Sequence, residues 1–493
     1  VATTERTTAS TEAFAGFDLR AWVAELADLG ELAELPGVSQ ELEIGAVTDL
    51  NAKHRGPALL FTDIVGCEEG RLLTCTLSRA KRLASALGLP PDLDDAGLVE
   101  ALQGKPATWQ AAAPDFVPVV VESGPITERV FAGDEIDMRR WPAPLWHEGD
   151  GDRYIGTGGT VITRDPETGI PNCGTYRVSV HGPRRLGVFI EPINHGGIHL
   201  QKWHERGERC PVVVSFGHGP LVYLASSMPM PYGVNELAYA GAMAGRPIEV
   251  VEGEVTGLPI PACSELAIEG WVAPGDEEDE GPFGEFTGYF AGGREPRPVI
   301  SVERLYVRGE NPIVYGSLPG KPPFDHSYWR SAIESAMLVD RLRSSGIPDV
   351  RSAWKYEAGS ANFFTVVSIR QRYAGHAMQT GLTAAVVADG SSMGRWVVVV
   401  DDDIDVMDVE QVLWALSTRT DPEKSIQVIR DTATNPLDPM LEDRDGAWHT
   451  SRAVINACRP YHRRETFGRV VEVSDELAAR VRARYGAVLG WPS

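Results

Sequence analysis

The stretch GTYRVSVHG, residues 174–182, followed by LGVFIEPI, residues 186–193, decides how the middle of this chain folds. In strand geometry Tyr176, Val178 and Val180 share one face, and Arg177 and Ser179 share the other. Arg177 there reads either as solvent-exposed or as buried against a carboxylate. The same texture extends both ways. VPVVVES, YIGTGGTVITR, CPVVVSFG, RPIEVVEGEVTG, ELAIEGWVA and RPVISVERLYVRG are short β-rich runs separated by Gly/Pro turns. That pattern predicts a β-sandwich or barrel, interrupted by helices near 200–208 and 235–244. It ends around Gly320-Lys321-Pro322-Pro323.

On the N-terminal side, the polar residues 1–17 read as a disordered lead-in. Asp18 then caps a helix whose Leu19, Trp22, Val23, Leu26 and Leu29 recur at helical spacing, with Gly30 ending it. A helix and a short buried strand near Leu59–Phe61 follow. Helical spacing resumes over 77–102, broken at Pro90-Pro91, and the proline-rich run Pro106–Pro118 reads as a boundary. On the C-terminal side, helices near 328–344, 375–388 and 409–417 alternate with strands near 361–370 and 396–400, which predicts a layered α/β domain. The segment 475–489 reads as an amphipathic helix that docks on its own subunit or on a neighbour. The expected division is 18–118, an N-terminal α/β region; 119–323, the β-rich domain; and 324–493, the C-terminal α/β domain.

The 493 residues carry 46 Lys+Arg against 69 Asp+Glu, so the formal charge is 46 − 69 = −23. A chain this acidic repels nucleic acid and anionic membrane surfaces. No apolar run approaches the length of a membrane helix, and the N-terminus lacks a signal core, so a cytoplasmic protein is expected. The six cysteines are scattered without a CxxC pair, which argues against a zinc ribbon, an iron–sulfur site or a disulfide framework.

The run DEGPFGEFTGYF, residues 279–290, is chemically distinctive. Glu280 and Glu285 flank Gly281-Pro282-Phe283-Gly284, a poor design for a helix or an unbroken strand. Such a turn can aim two carboxylates at one point, one ionised and one donating a proton. The bland alternative is a surface turn after an acidic loop. Other motifs weigh less. GSSMG at 390–394 matches the hydrolase elbow, but a helix precedes it and a strand follows, the reverse of what the elbow needs. Asp401-Asp402-Asp403-Ile404-Asp405 reads as capping carboxylates or as a magnesium site. His195, His199 and His204 lie close together, but without the glutamate of H-E-x-x-H. The G-x-G-G at 156–159 lacks the rest of the dinucleotide fingerprint.

Taken together, PNCGTYRVSVHG (171–182), VFIEPINHGGIHLQKW (188–203), ASSMPMPYGVNELAYAGAM (225–243), EGPFGEFTGYF (280–290) and DDDIDVMDVEQVLWALSTR (401–419) resemble, in order, the UbiD family of reversible non-oxidative decarboxylases that use prenylated FMN. The resemblance runs from about Leu19 to the C-terminus. It implies a multi-domain α/β chain: an N-terminal α/β region, a central split β-barrel that binds flavin, and a layered C-terminal α/β domain that drives oligomerisation into a homodimer or homohexamer. It implies decarboxylation of a (hetero)aromatic or α,β-unsaturated carboxylic acid through a covalent prenylated-FMN adduct. Glu285 is then the proton donor, and Arg177 with Glu280 orients substrate and cofactor.

By the same resemblance Asn172, His195 and Glu236 hold Mn2+ or Mg2+ against the cofactor phosphate. K+ sits among Ala225, Ser226, Met228, Glu236 and Cys173. Thr157, Thr175, Asn194 and Ser227 complete the cofactor contacts, and His199 and His204 are left as structural. A flavin prenyltransferase is implied as cofactor supplier. The run Phe324-Asp325-His326 departs from the family pattern, so the substrate stays open. Phe283, Phe286, Phe324 and Tyr328 read as pocket walls or as core. A flavin-binding, non-catalytic subunit and a metal hydrolase are the competing classes; the intact Arg177, Glu280 and Glu285 set speaks against the first.

Overall fold

The computed structural model describes residues 14–387, 394–441 and 448–491. Three sheets carry the architecture. The N-terminal sheet has four strands in the order Leu32–Pro36, Ala58–Thr62, Arg71–Thr74, Ile313–Tyr315. Its last strand comes from beyond the β-rich segment and pairs in parallel with Arg71–Thr74, so the chain returns to its own beginning. The first helix runs Leu19–Asp28, and the Asp18 carboxylate accepts from the amides of Arg20 and Ala21. It seals this layer with Leu19, Trp22 and Leu26, all fully buried. Replacing such a cap by alanine costs about 1 kcal/mol.

Residues 14–17, expected within the lead-in, are ordered, and the rest of that lead-in, 1–13, lies outside the described residues. Phe14 and Phe17 pack edge to face, and Phe17 is buried in the core. The run expected as a boundary at 106–118 instead opens as the helix Lys105–Ala112, with Pro106 in its first turn, where a missing N–H costs nothing. Trp109 of that helix packs edge to face on Tyr239.

The central layer is an antiparallel sheet curved into a half-barrel. Its strands run Pro171–Gly174, Thr160–Arg164, Cys210–Ser215, Leu266–Glu280, Glu295–Val307, Arg185–Val188 and Val178–Val180, with Arg129–Ala132 pairing onto Glu295–Val307. The two long strands pair from Leu266↔Val307 to Glu280↔Glu295, with irregularities that bend them, one of them between Val272 and Glu277. Glu280 is therefore the last residue of a strand, and the glycine-proline turn begins directly after it. Helices Pro220–Ser227 and Glu236–Ala244 pack together beside the strand Pro171–Gly174.

The C-terminal sheet has the order Val350–Lys355, Phe364–Ile369, Trp396–Asp401, His449–Asn456, Ile426–Ala433, parallel in its centre and antiparallel at both edges. Helices Ser327–Ser344 and His376–Val386 pack against it. One buried cluster runs from Leu19 through Tyr239 and Trp329 to Val398, joining all three layers. The closing helix Asp475–Leu489 buries only Gly486 and leaves Leu477, Tyr485, Val488 and Leu489 exposed, so its apolar residues are not covered by the described residues of its own subunit. The GSSMG elbow lies outside the described residues except for Gly394. The described residues hold no helix long and apolar enough to cross a membrane.

Candidate active site

Arg177 sits just before the strand Val178–Val180, and its side chain is 8% exposed. Of the two readings of this arginine, burial against carboxylate is the one observed. Nε and Nη2 donate to Glu280 Oε1 and Oε2, each at 2.8 Å, and Nη1 donates to Glu285 Oε1 at 2.5 Å. The guanidinium carbon lies 4.1 Å from the Phe189 ring centre and 5.2 Å from that of Phe283, so apolar faces hold the charged fork from two sides. The Tyr154 hydroxyl donates to Glu280 Oε1 as well.

The turn that carries both glutamates is pinned by backbone. Gly281 has φ +91°, a conformation that side chains resist. Its N–H donates to Asp152 at 3.0 Å, Gly284 N–H donates to Asp150 at 3.0 Å, and Gly151 N–H donates to Pro282 O at 2.8 Å. Glu285 is fixed in turn by its N–H to Tyr289 O at 3.0 Å.

One positive charge faces two carboxylates here. Glu280 takes both teeth of the fork and a phenol; Glu285 takes one tooth. Burial pushes the Glu285 pKa up, Arg177 opposes this, and the charge of Glu280 adds to the rise. Burial works against the charge on Arg177, but Glu285 and Glu280 outweigh it and hold the guanidinium pKa above its ordinary value. The arrangement suits one ionised carboxylate and one that carries a proton.

This trio borders a cavity of about 420 Å³. Arg177 and Glu285 line it, as do Thr157, Asn172, Cys173, Thr175, Asn194, His195, Ser226, Ser227, Met228 and Glu236. Glu280 and Ala225 lie behind the lining. Asn172 and Cys173 come from the strand Pro171–Gly174; His195 opens the helix His195–Glu205; Glu236 opens the helix Glu236–Ala244.

Asn172, His195 and Glu236 have the chemistry of a hard-cation site. Glu236 is buried and forms no ion pair among the described residues. Its Oε2 accepts from the Cys173 amide at 2.8 Å, and burial pushes its pKa up to about 8. The Asn172 Nδ2 is a buried donor without a hydrogen-bond partner, suited to a phosphate oxygen, and the amide Oδ1 is the atom able to ligate a cation. Burial lowers the His195 pKa, which favours the neutral ring that coordinates metals. These observations fit a cation whose ligands are oxygens and one imidazole.

The other two histidines are tied elsewhere: His199 Nδ1 pairs with Thr163 Oγ1 at 2.9 Å, and His204 Nε2 with Val272 O at 3.2 Å. Around Ser226 a hydroxyl cluster forms, with Thr175 Oγ1 3.0 Å from Ser226 Oγ and 2.8 Å from Ser227 Oγ. The carbonyls here end the helix Pro220–Ser227, where its dipole favours a cation.

Of the four aromatic wall candidates, Phe283 and Phe286 line the cavity. Phe324 and Tyr328 do not. Phe324 packs edge to face on His326, and Tyr328 is core, its hydroxyl bonded to Asp95. The acidic run 401–405 is occupied by arginines: Arg419 Nη1 donates to Asp401 at 3.1 Å and to Asp403 at 2.8 Å, and Arg459 N–H donates to Asp401 at 2.7 Å. Asp405 caps the following turn by accepting from the Met407 amide at 2.9 Å, and the next helix is capped by Asp408.

Sequence reasoning missed Tyr154, Glu191, His326 and Asn435 as members of the site. His326 joins a chain through Ser317 to Tyr223, with Nδ1 2.8 Å from Ser317 Oγ. Only the Phe324-Asp325-His326 departure hinted at it.

The chain matches three family models in succession: the N-terminal, Rift-related and C-terminal domains of 3-octaprenyl-4-hydroxybenzoate carboxy-lyase, over residues 23–102, 117–322 and 327–457. It is 34% identical to a pyrrole-2-carboxylic acid decarboxylase of Pseudomonas aeruginosa, covering 90% of this chain and 91% of that protein. It is 32% identical to a phenolic acid decarboxylase of Bacillus subtilis, covering 86% and 89%. Among solved structures it resembles the UbiD-class enzyme HmfF from Pelotomaculum thermopropionicum in complex with FMN. That match has a TM-score of 0.81 at 30% identity and covers 93% of this chain and 98% of that one. An evolved dimeric form of the same enzyme, in complex with prFMN, matches with a TM-score of 0.77 at 29% identity over 92% and 97%. This chain belongs to the UbiD family and is a carboxy-lyase of that family.

Proposed function

We propose that this protein catalyses the reversible, non-oxidative decarboxylation of a (hetero)aromatic or α,β-unsaturated carboxylic acid, with prenylated FMN in the cavity beside Arg177. The observation that carries this reading is the buried fork of Arg177 between Glu280 and Glu285, on the wall of the cavity that also holds Asn172, His195 and Glu236. Support for the cofactor comes from the FMN and prFMN complexes of the structural relative. Support for an aromatic acid comes from the substrates named for the curated relatives.

In this reading Asn172, His195 and Glu236 would hold Mn2+ or Mg2+ beside the flavin phosphate. The main-chain oxygens of Ala225, Ser226 and Met228, with Cys173 and Glu236, would hold K+. Prenylated FMN, when bound, supplies the sink for the electron pair left as CO2 departs. Arg177, fixed by Glu280, positions the substrate carboxylate. Glu285 delivers its proton to the carbon that lost CO2, and its raised pKa keeps that proton available. Phe283, Phe286 and Trp329 exclude water around the ring. A separate flavin prenyltransferase supplies the cofactor, and the exposed helix Asp475–Leu489 packs on another copy in a homodimer or homohexamer.

The test is CO2 release from a panel of pyrrole, furan, benzoic and acrylic acids. The protein is co-expressed with a flavin prenyltransferase and given Mn2+ and K+, and its absorption spectrum is recorded. Flavin absorbance together with CO2 from an acid is the expected result. Bound flavin with no turnover on any acid counts for a non-catalytic flavin protein, and no flavin under any condition removes the cofactor assignment.

A further inference from the structure

One carboxylate on the cavity wall has no part in this chemistry. Glu191 lies between the strand Arg185–Val188 and the helix His195–Glu205, lines the cavity, and is 6% exposed. Its Oε2 accepts from Asn435 Nδ2 at 3.3 Å. Its Oε1 is buried and has no hydrogen-bond partner, and Glu191 forms no ion pair among the described residues. Leaving a carboxylate oxygen dry and unpaired is unfavourable, so folds keep one where something else completes it.

The side chain is held by rigid backbone. The Asn194 amide donates to Glu191 O at 3.0 Å, and a Cβ on Gly197 would come within 2.2 Å of that carbonyl, so the start of the helix is seated directly on this residue. The surroundings match an acceptor waiting for a donor. Burial, with the charge of Glu285 nearby, pushes the Glu191 pKa up to about 7, and the charges of Arg297 and Arg177 limit the rise. A proton donor brought by a ligand relieves that same penalty. The influence of Glu285 and Arg177 also places Glu191 within electrostatic range of the reacting groups.

We propose that Glu191 Oε1 accepts a hydrogen bond from an N–H or O–H group on the ring of the substrate, so that the enzyme selects acids carrying such a donor over isosteres that lack it. This rests on the decarboxylase reading above and specifies the substrate class for that site. The Asn435 amide holds Oε2 at 3.3 Å, which leaves Oε1 as the uncommitted acceptor of this cavity-lining carboxylate. Glu191 is thus a specificity residue, separate from the proton delivery assigned to Glu285.

The test uses two matched pairs with the holoenzyme: pyrrole-2-carboxylic against furan-2-carboxylic acid, and 4-hydroxybenzoic against 4-methylbenzoic acid. Binding is measured by calorimetry and CO2 release by kcat/KM. The wild-type protein is expected to favour the donor-bearing member of at least one pair by roughly 10- to 100-fold, the worth of a hydrogen bond to a charged acceptor. The pair that responds identifies the donor as ring nitrogen or phenol. In Glu191→Leu the preference is expected to fall to about unity while the donor-lacking member binds at least as well, a reversal that loss of structure does not produce. Glu191→Gln, which keeps the shape and one neutral acceptor, is expected to lie between the two, and serves if the leucine variant does not fold. Equal binding of both members in both pairs by the wild type overturns the proposal, as does a preference that survives in Glu191→Leu. Equal CO2 release within each pair overturns this proposal and leaves the decarboxylase standing. Discriminating binding with no CO2 from any acid counts against the decarboxylase and in favour of the Glu191 contact.

Discussion

Arg177 Nη1 meets Glu285 Oε1 at 2.5 Å with a single hydrogen bond, while the opposite edge of the same guanidinium is taken by two bonds to Glu280. This asymmetry divides the labour. Glu280 receives two guanidinium N–H groups and a phenol, and Glu285 receives one N–H, which makes Glu285 the candidate proton donor. Glu285→Gln preserves the shape of the turn and removes the transferable proton. It is expected to retain flavin and bind substrate while CO2 release falls roughly 10²- to 10⁴-fold. Near wild-type release would remove Glu285 as the donor.

The alkaline limb of the pH profile tests the same assignment. A proton-donating Glu285 must work in its protonated form, and burial raises its pKa above the ordinary carboxylate value. Decarboxylation is therefore flat at low pH and declines as pH rises through that raised pKa. Glu280→Gln removes a negative charge that helps to raise the pKa and leaves Arg177 to serve Glu285 alone. Both effects favour the Glu285 anion, so the decline moves to lower pH in a profile of kcat/KM. A decline at the wild-type position in Glu280→Gln would show that Glu285 does not set it.

Removing the arginine tests the electrostatics without catalysis. Arg177→Met leaves Glu280 and Glu285 buried with no cation between them, and breaking a buried pair in this way costs about 3–5 kcal/mol. Protonating Glu285 relieves part of the penalty, because burial without the opposing arginine raises its folded-state pKa further. A raised carboxylate pKa costs stability as pH rises from the unfolded value towards the folded one. The gap in melting temperature between wild type and Arg177→Met is accordingly expected to be wider at pH 8 than at pH 5. A gap independent of pH would mean that Glu280 and Glu285 do not feel the arginine.

Much of this was legible in sequence where one segment suffices. Asp18 and the Leu19, Trp22, Leu26 spacing gave the first helix, and Pro282 between two glycines marked the turn that carries the glutamates. What was hidden depends on residues far apart in the chain. The strand Ile313–Tyr315 closes the N-terminal sheet by pairing with the distant strand Arg71–Thr74, and its three residues carry no local sign of that partner. Phe324 and Tyr328 were indistinguishable in sequence from Phe283 and Phe286, because an aromatic side chain suits a core and a pocket equally. Asn435 is displaced in sequence from Glu191 by 244 positions, so only the folded chain brings amide and carboxylate together.

Tyr154 shows how a hidden residue enters the prediction. Its hydroxyl donates to Glu280, the anion that anchors Arg177. Tyr154→Phe keeps the ring that packs on Phe283 at 4.4 Å between centres and deletes only the donor. Hydrogen bonds to charged groups are worth about 1.5–3 kcal/mol, so Glu280 loses part of its stabilisation as an anion and Arg177 shifts towards Glu285. The expected result is a roughly 10-fold lower kcat with KM nearly unchanged and a decline shifted to lower pH. A change confined to KM would place Tyr154 in substrate binding instead.

The metal assignment can be separated from the histidine cluster around it. His195 lines the cavity with its pKa lowered by burial, and the same cavity is lined by Glu236, buried without an ion pair among the described residues, and by Asn172, whose Nδ2 has no hydrogen-bond partner. His199, one helical turn on, already spends its Nδ1 on Thr163. His195→Ala is therefore expected to lower both flavin retention and bound manganese, read by absorbance and by elemental analysis, with the circular dichroism spectrum preserved. His199→Gln, which retains a hydrogen-bonding group for Thr163, is expected to leave both nearly at wild-type levels. If the two variants lose flavin and manganese equally, the cluster acts through packing and His195 is no ligand. If neither loses them, the cation is held without an imidazole, and the oxygen groups of Asn172 and Glu236 must find their partners elsewhere in the cavity.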